Sequence, residues 1–194
     1  MAKVLIHFAH PAYSKSHVHK VLSSYCRNLE GVTFNDLYEQ YPDMYIDIEK
    51  EQELLLQHDI VIFQHPFYWY SAPAIIKQWC DLVLEHNWAY GSKGNMLVGK
   101  KMLNVISCGA TKDAYSQLGY NRYPVRQFLL PFDQTAHLCK MEYWPPFVVH
   151  GTHRISRQQI EGYGEQYRSI LQSLVNDDID TTQLREVEYL NQLA

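Results

Sequence analysis

Three short segments hold the residues able to do chemistry. His10 to His19 reads HPAYSKSHVH, Pro66 to Pro73 reads PFYWYSAP, and Ser107 to Tyr115 reads SCGATKDAY. In the first, hydroxyls, backbone N–H groups and a helix N-terminus suit a phosphate cradle. Protonated His17 and His19 would add positive charge. By itself the segment also fits a capped helix with solvent-facing histidines. A metal site is disfavoured, because i and i+2 on a helix point apart. In the second segment, Phe67, Tyr68, Trp69 and Tyr70 form four consecutive rings. An irregular segment cannot turn all four inward, so some are left to form a stacking wall. A flat heterocycle with a polar edge would use both these rings and the free main-chain groups of a loop. In the third, Gly109 permits close approach to the backbone. Cys108 reads as a buried thiol better than as a nucleophile. Tyr115 is either a hydrogen-bond donor to a ligand or a structural tyrosine.

The surrounding elements explain why these segments should meet. Lys3–Ala9 is a continuous apolar strand of the kind found at the centre of a parallel sheet. Ser14 or Ser16 caps a helix with Val18, Val21, Leu22, Tyr25 and Leu29 on one face, ended by Gly31. Val32–Leu37 alternates as a half-exposed strand, and Asp47 caps a helix running to about Gln57. Asp59–Gln64 is the most strand-like run. Ser71 is expected to cap the next helix, with Pro73 in its first turn. Lys101–Ser107 is a fourth strand, followed by an excursion from Thr111 to Asn121. A helix over Pro124–His137, a fifth strand around Lys140–His150 interrupted by Pro145-Pro146, and a helix opened by the capping box Ser156–Gln159 complete the order. Residues 1–175 thus form one domain, and the polar tail 176–194 is expected to be loosely held. Alternating strands and helices with right-handed crossovers give a parallel sheet covered on both faces. Such sheets bind ligands beyond the carboxyl ends of their strands, where the three segments lie.

Composition narrows the classes. The chain has 194 residues and a formal net charge of −4, which argues against nucleic acid as the main ligand. Weak acidity also argues against a dedicated one-electron carrier. Four cysteines, Cys26, Cys80, Cys108 and Cys139, form no CxxC pair, so a reduced, cytoplasmic setting is expected. No stretch approaches the ~18 apolar residues of a membrane span, so any membrane link is expected through a partner. No GxGxxG follows the first strand and no GxxxxGK[ST] occurs, which excludes the usual dinucleotide and phosphate-loop fingerprints.

Longer motifs carry a resemblance. His10-Pro11 at the end of the first strand, DLYEQYPDMYIDIEKEQ, QHPFYWYSAPAIIKQWCDLVL, the following WAYG, and NRYP with a later PF are similar to the NAD(P)H:quinone oxidoreductase (DT-diaphorase) family of flavodoxin-like flavoproteins. Within it the chain most resembles the KefF/KefG ancillary proteins of glutathione-gated potassium efflux and related general stress proteins. The resemblance runs to about Leu171. It implies a three-layer α/β sandwich around a five-stranded parallel sheet of order 2-1-3-4-5, binding FMN in preference to FAD, with NAD(P)H as co-substrate and a quinone as acceptor. By position, His10 and Ser16 to His19 would hold the phosphate. Pro66, Phe67, Tyr68, Trp69 and Tyr70 would line the isoalloxazine, and Ser107, Cys108, Gly109 and Ala110 would meet its edge. Tyr115 would match a catalytic tyrosine. A homodimer is implied, and a membrane potassium transporter is an implied partner, so that the protein would sit at the inner membrane only through it. A regulatory subunit with incidental oxidoreductase activity is the alternative function. Two departures stand out. The family's Thr-Thr-Gly-Gly segment reads Ser107-Cys108-Gly109-Ala110, and Asn121 occupies the position of a relay histidine.

Overall fold

The computed structural model describes residues 1–193. Its strands are β1 (Val4–Phe8), β2 (Val32–Asp36), β3 (Ile60–Pro66), β4 (Lys101–Ser107), β5 (Glu142–Tyr143) and β6 (Phe147–Val149), all paired in parallel. The sheet order is β2-β1-β3-β4-β5, with β6 also on β4. The expected single fifth strand is therefore two short ones on the same edge. Pro145 and Pro146 have no N–H to give a ladder, and the strand breaks there.

The helices are α1 (Val18–Cys26), α2 (Leu37–Gln40), α3 (Ile48–Gln57), α4 (Ala74–Val83), α5 (Val125–Phe128), α6 (Leu130–Leu138), α7 (Arg157–Asn176) and α8 (Thr181–Leu184). Successive strand residues point to opposite faces, so the sheet divides its apolar side chains between two cores. Leu5, Val61, Phe63, Met102 and Ile106 meet Leu55 of α3, Ile75, Ile76, Trp79 and Val83 of α4, and Phe132 of α6. Val4, Ile6, Phe8, Ile62, Leu103 and Val105 meet Leu22 of α1 and Tyr167, Ile170, Leu171 and Leu174 of α7.

Several local expectations change. The side chain of Ser71 does not cap α4; Pro73 holds that position, and no side-chain cap forms. Ser71 instead closes a turn, its N–H bonding the carbonyl of Tyr68. The single helix over Pro124–His137 is two, meeting at Leu129. The tail is docked, not loose. Leu184, Tyr189 and Leu190 are buried, Asn191 Oδ1 accepts the N–H of Val148, and Leu190 N–H bonds the carbonyl of Pro146. Asp47 does cap α3 through Lys50 N–H, and Ser156 and Gln159 form the capping box.

A buried carboxylate ties the first core to the sheet. Glu51, on α3, is fully enclosed and accepts hydrogen bonds from Asn35 Nδ2 at 2.9 Å, Tyr41 Oη at 2.7 Å and Trp79 Nε1 at 2.8 Å. His7 Nδ1 lies 3.5 Å away. Burial holds the His7 imidazole neutral, down at about 4, even though Glu51 pulls the other way. These donors come from β2, the loop after α2, and α4, so one charge fixes three elements.

Candidate functional site at the carboxyl end of the sheet

β1, β3 and β4 deliver the three sequence segments to the same end of the sheet, where two adjoining cavities open. One, of about 720 Å³, is lined by His10, Lys15, Ser16, His17 and Val18, by Pro66 to Trp69, and by Ser107, Gly109, Thr152 and His153. The other, of about 550 Å³, is lined by Phe67, Trp69 and Tyr70, by Gly109 to Thr111, and by Tyr115, Tyr120, Asn121, His153 and Arg154. Each is within the range of small-molecule and cofactor sites.

The larger cavity is built on the start of α1. Ser16 Oγ accepts the N–H of His19 at 3.0 Å, so Ser16 rather than Ser14 does the capping. The other first-turn N–H groups lie at the positive end of the helix dipole and have no intrahelical acceptor. His17 is exposed at the cavity edge. His19 differs from its expected role. It is fully buried behind the cavity, and its Nε2 pairs with Ser107 Oγ at 2.9 Å. Burial, reinforced by His10 and His65, drives its pKa well below the usual imidazole range. It supplies no positive charge; it locks α1 to the end of β4. His10 is also lowered by burial, and its Nδ1 accepts the N–H of Ala12.

The aromatic wall splits as the sequence suggested. Phe67 faces inward, 8% exposed, edge-on to Tyr115 and Phe128. Tyr68 and Tyr70 are half exposed, and Trp69 is 93% exposed. Trp69 and Tyr70 adopt φ of 50° and 62°, the left-handed region that side chains other than glycine's avoid. Such a conformation costs about 1–3 kcal/mol per residue and gathers at functional sites. Here it turns an indole out of the protein. Tyr70 stacks on Phe128 and donates to Asn121 Oδ1 at 3.3 Å, tying the wall to the excursion after β4.

At the β4 end, Gly109 and Ala110 line the ring-side cavity, but Cys108 does not. Its N–H bonds Val149 and its carbonyl accepts from Thr152, so both backbone groups are taken. The thiol is buried and pushed up to about 12 by desolvation, which removes any nucleophilic role at neutral pH. Tyr115 is nearly buried, and burial raises its phenol so that it stays protonated.

Gly109 is the feature that sequence reading described incompletely. A Cβ added there would meet His153 Nε2 at 2.9 Å and Cδ2 at 3.1 Å. The side chain that exploits the missing methyl is thus an imidazole from the loop after β6. His150, Thr152, His153 and Arg154 went unrecognised. The signal that could have found them was available: they follow the fifth strand at the same end of the sheet as the three segments that were singled out. Among the described residues no group of three metal-ligating side chains occurs, and no helix is long and apolar enough to cross a membrane.

Comparison with known proteins accords with this geometry. A family model described as Flavodoxin-like fold matches residues 2–171. The glutathione-regulated potassium-efflux system ancillary protein KefG of Enterobacter sp. is 42% identical over 172 residues, 89% of this chain and 94% of that protein. General stress protein 14 of Treponema denticola, solved in complex with FMN, superposes with a TM-score of 0.85 at 40% identity, covering 89% of this chain and 99% of that one. An NADPH-quinone reductase from P. pentosaceus superposes with a TM-score of 0.79 at 30% identity, covering 87% and 96%. The chain belongs to the flavodoxin-like family.

Proposed function

We propose that the protein is an FMN-dependent NAD(P)H:quinone oxidoreductase that also serves as an ancillary subunit of a potassium efflux transporter. The observation that carries the first part is the pair of joined cavities between a strained, outward-facing aromatic wall and a strand end with no side chain at Gly109. The residues present fit FMN: a helix start for its phosphate, rings for its faces, and backbone plus a neutral phenol for its polar edge. FAD is the less favoured cofactor. The relatives named for potassium efflux support the second part.

Bound FMN would pass two electrons from NAD(P)H to a quinone, and the protein would bind, orient and exclude water. Ser16, His17 and Val18 would hold the phosphate at the start of α1. His10 and Ser107 would border it, with His19 bracing Ser107 from behind. Pro66 and Phe67 would floor the ring, while Tyr68, Trp69 and Tyr70 would wall it. Gly109 and Ala110 would offer backbone groups to its edge. Tyr115, kept protonated, would donate a hydrogen bond to a substrate oxygen that gains negative charge. Asn121 holds no titratable proton, so no proton passes through it. Nicotinamide and quinone would occupy the ring-side cavity in turn. Exposed Trp69 and Tyr120, which line that cavity, suit a second copy of the chain, in keeping with a homodimer.

The test uses purified protein. Its visible spectrum and the flavin released on denaturation are recorded, and oxidation of NADH and NADPH is followed with and without menadione. Flavin absorbance with quinone-dependent oxidation is expected. A colourless protein that does not take up FMN refutes the enzymatic part. Flavin binding without oxidation of either nicotinamide leaves the ancillary role, which co-purification with an efflux transporter would establish.

A further inference from the structure

Four residues line both cavities: Phe67, Trp69, Gly109 and His153. His153 alone among them can gain a proton. Its position is built by the backbone. Gly151 N–H bonds Ala110 O at 2.9 Å and Thr152 N–H bonds Cys108 O at 3.1 Å, extending the β4–β6 pairing past the sheet. Gly151 then turns the chain at φ 71°, and the N–H groups of Arg154 and Ile155 close back on its carbonyl. The imidazole is left over Gly109 at the junction of the two spaces.

Desolvation shifts the buried groups nearby away from neutral pH. Burial pushes Cys108 up to about 12 and raises Tyr115, while it lowers His10 and holds His150 at about 4. The charged side chains that line these spaces are basic, and Glu161 pairs with one of them, Arg157, at 3.8 Å. Lys15 and His17 stand on the phosphate side, Arg154 on the ring side, and Lys20 and Arg157 behind the loop. Tyr68, Tyr70, Tyr115 and Tyr120 are the phenols that face the two cavities. Among the described residues no carboxylate lines any of these three spaces. These spaces therefore present positive charge to an arriving anion.

We propose that His153 contacts the cofactor: its Nε2–H, in the charged imidazolium, hydrogen-bonds the carbonyl-bearing edge of the flavin over Gly109, the proton being taken from solvent on binding. This rests on the flavin reading above and goes beyond it, since it assigns to the β6–α7 loop the proton-bearing role that Asn121 cannot fill.

Calorimetric titration of the apoprotein with FMN tests it, between about pH 6 and about pH 9 and in two buffers of different ionisation enthalpy. Wild type, His153→Asn and His153→Arg are compared. A lost charge-assisted hydrogen bond should weaken the asparagine variant about tenfold near pH 6, with the gap closing to under about twofold near pH 9. Wild type should take up more protons on binding than the asparagine variant. The arginine variant should keep its affinity across the range. The FMN phosphate titrates near pH 6 in every case and cancels from the comparison. His153 is exposed and bonds no other side chain in the folded protein, so both variants should unfold at the wild-type temperature. Equal affinity and equal proton uptake in wild type and the asparagine variant overturn the proposal, as does a weakening that is the same at every pH. Wild type that binds no FMN overturns the functional reading itself, and the proposal with it.

Discussion

Replacing Trp69 by glycine should cost the fold almost nothing and the site a great deal. Trp69 sits at φ 50°, ψ 44°, a conformation that glycine adopts freely. Relief of that strain contributes about 1 kcal/mol in favour of the variant. Against it stand two terms. Only 7% of the residue's surface is covered, the complement of its 93% exposure, which is worth roughly 0.5 kcal/mol of apolar burial. The freer unfolded chain costs a further 0.4–1 kcal/mol or about that. The sum lies within about 1 kcal/mol of zero, so urea unfolding of the apoprotein should move little. Loss of one stacking ring is worth about 1–3 kcal/mol toward a flat heterocycle, so FMN affinity should fall about 5- to 150-fold. Flavin fluorescence quenching reads the affinity on the same sample. Destabilisation of several kcal/mol would mean the indole is a structural prop. Unchanged affinity would mean that no flat ligand lies against it.

Three further outcomes follow from the buried groups. Glu51→Ala leaves the donors of Asn35, Tyr41 and Trp79 without their acceptor and should lower unfolding free energy by at least about 3 kcal/mol, while a loss under about 1 kcal/mol in urea melts would refute the network's role. His7 and His65 are held at about 4 by burial, so the unfolded chain binds protons first on acidification. Stability should therefore be constant above about pH 6.5 and fall from there to about pH 4, by up to about 3 kcal/mol for each histidine; a flat urea midpoint across that window would contradict it. Cys108, with its thiol at about 12, should resist alkylation by iodoacetamide in the native protein and react only after unfolding, and rapid native labelling at this residue by mass spectrometry would refute its burial.

The parallel sheet and the meeting of three segments were legible because they rest on periodicity and connection rules, whereas the strand order was legible only through the family resemblance. The mostly apolar runs at Val4–Phe8 and Ile60–Pro66 read as strands covered on both faces, and every residue of both is buried. The aromatic wall was legible for a simpler reason: four rings cannot all enter a core from one loop. Less visible were features set by long-range packing. Ser71 looks like a cap, yet the turn that holds Trp69 outward uses its backbone. His19 looks solvent-facing on a helix start, yet it is the residue that β4 reaches. The tail is polar in composition, and Leu184, Tyr189 and Leu190 follow no helical or strand spacing. Their burial depends on the surface that β6 and α7 leave open. His153 carries no local pattern; its place after the fifth strand was the available signal, and the pairing of two loops brings it over Gly109.

The central claim is that a flat cofactor lies between Phe67–Tyr70 and the β4 end. The most direct measurement is a crystal structure of the protein soaked with FMN. The account predicts ring density bounded by Trp69 and Tyr70 on one side and Gly109 and Ala110 on the other, with phosphate density at the N–H groups that open α1. Density for FMN elsewhere, or a crevice filled by the protein's own side chains in every copy, would contradict it.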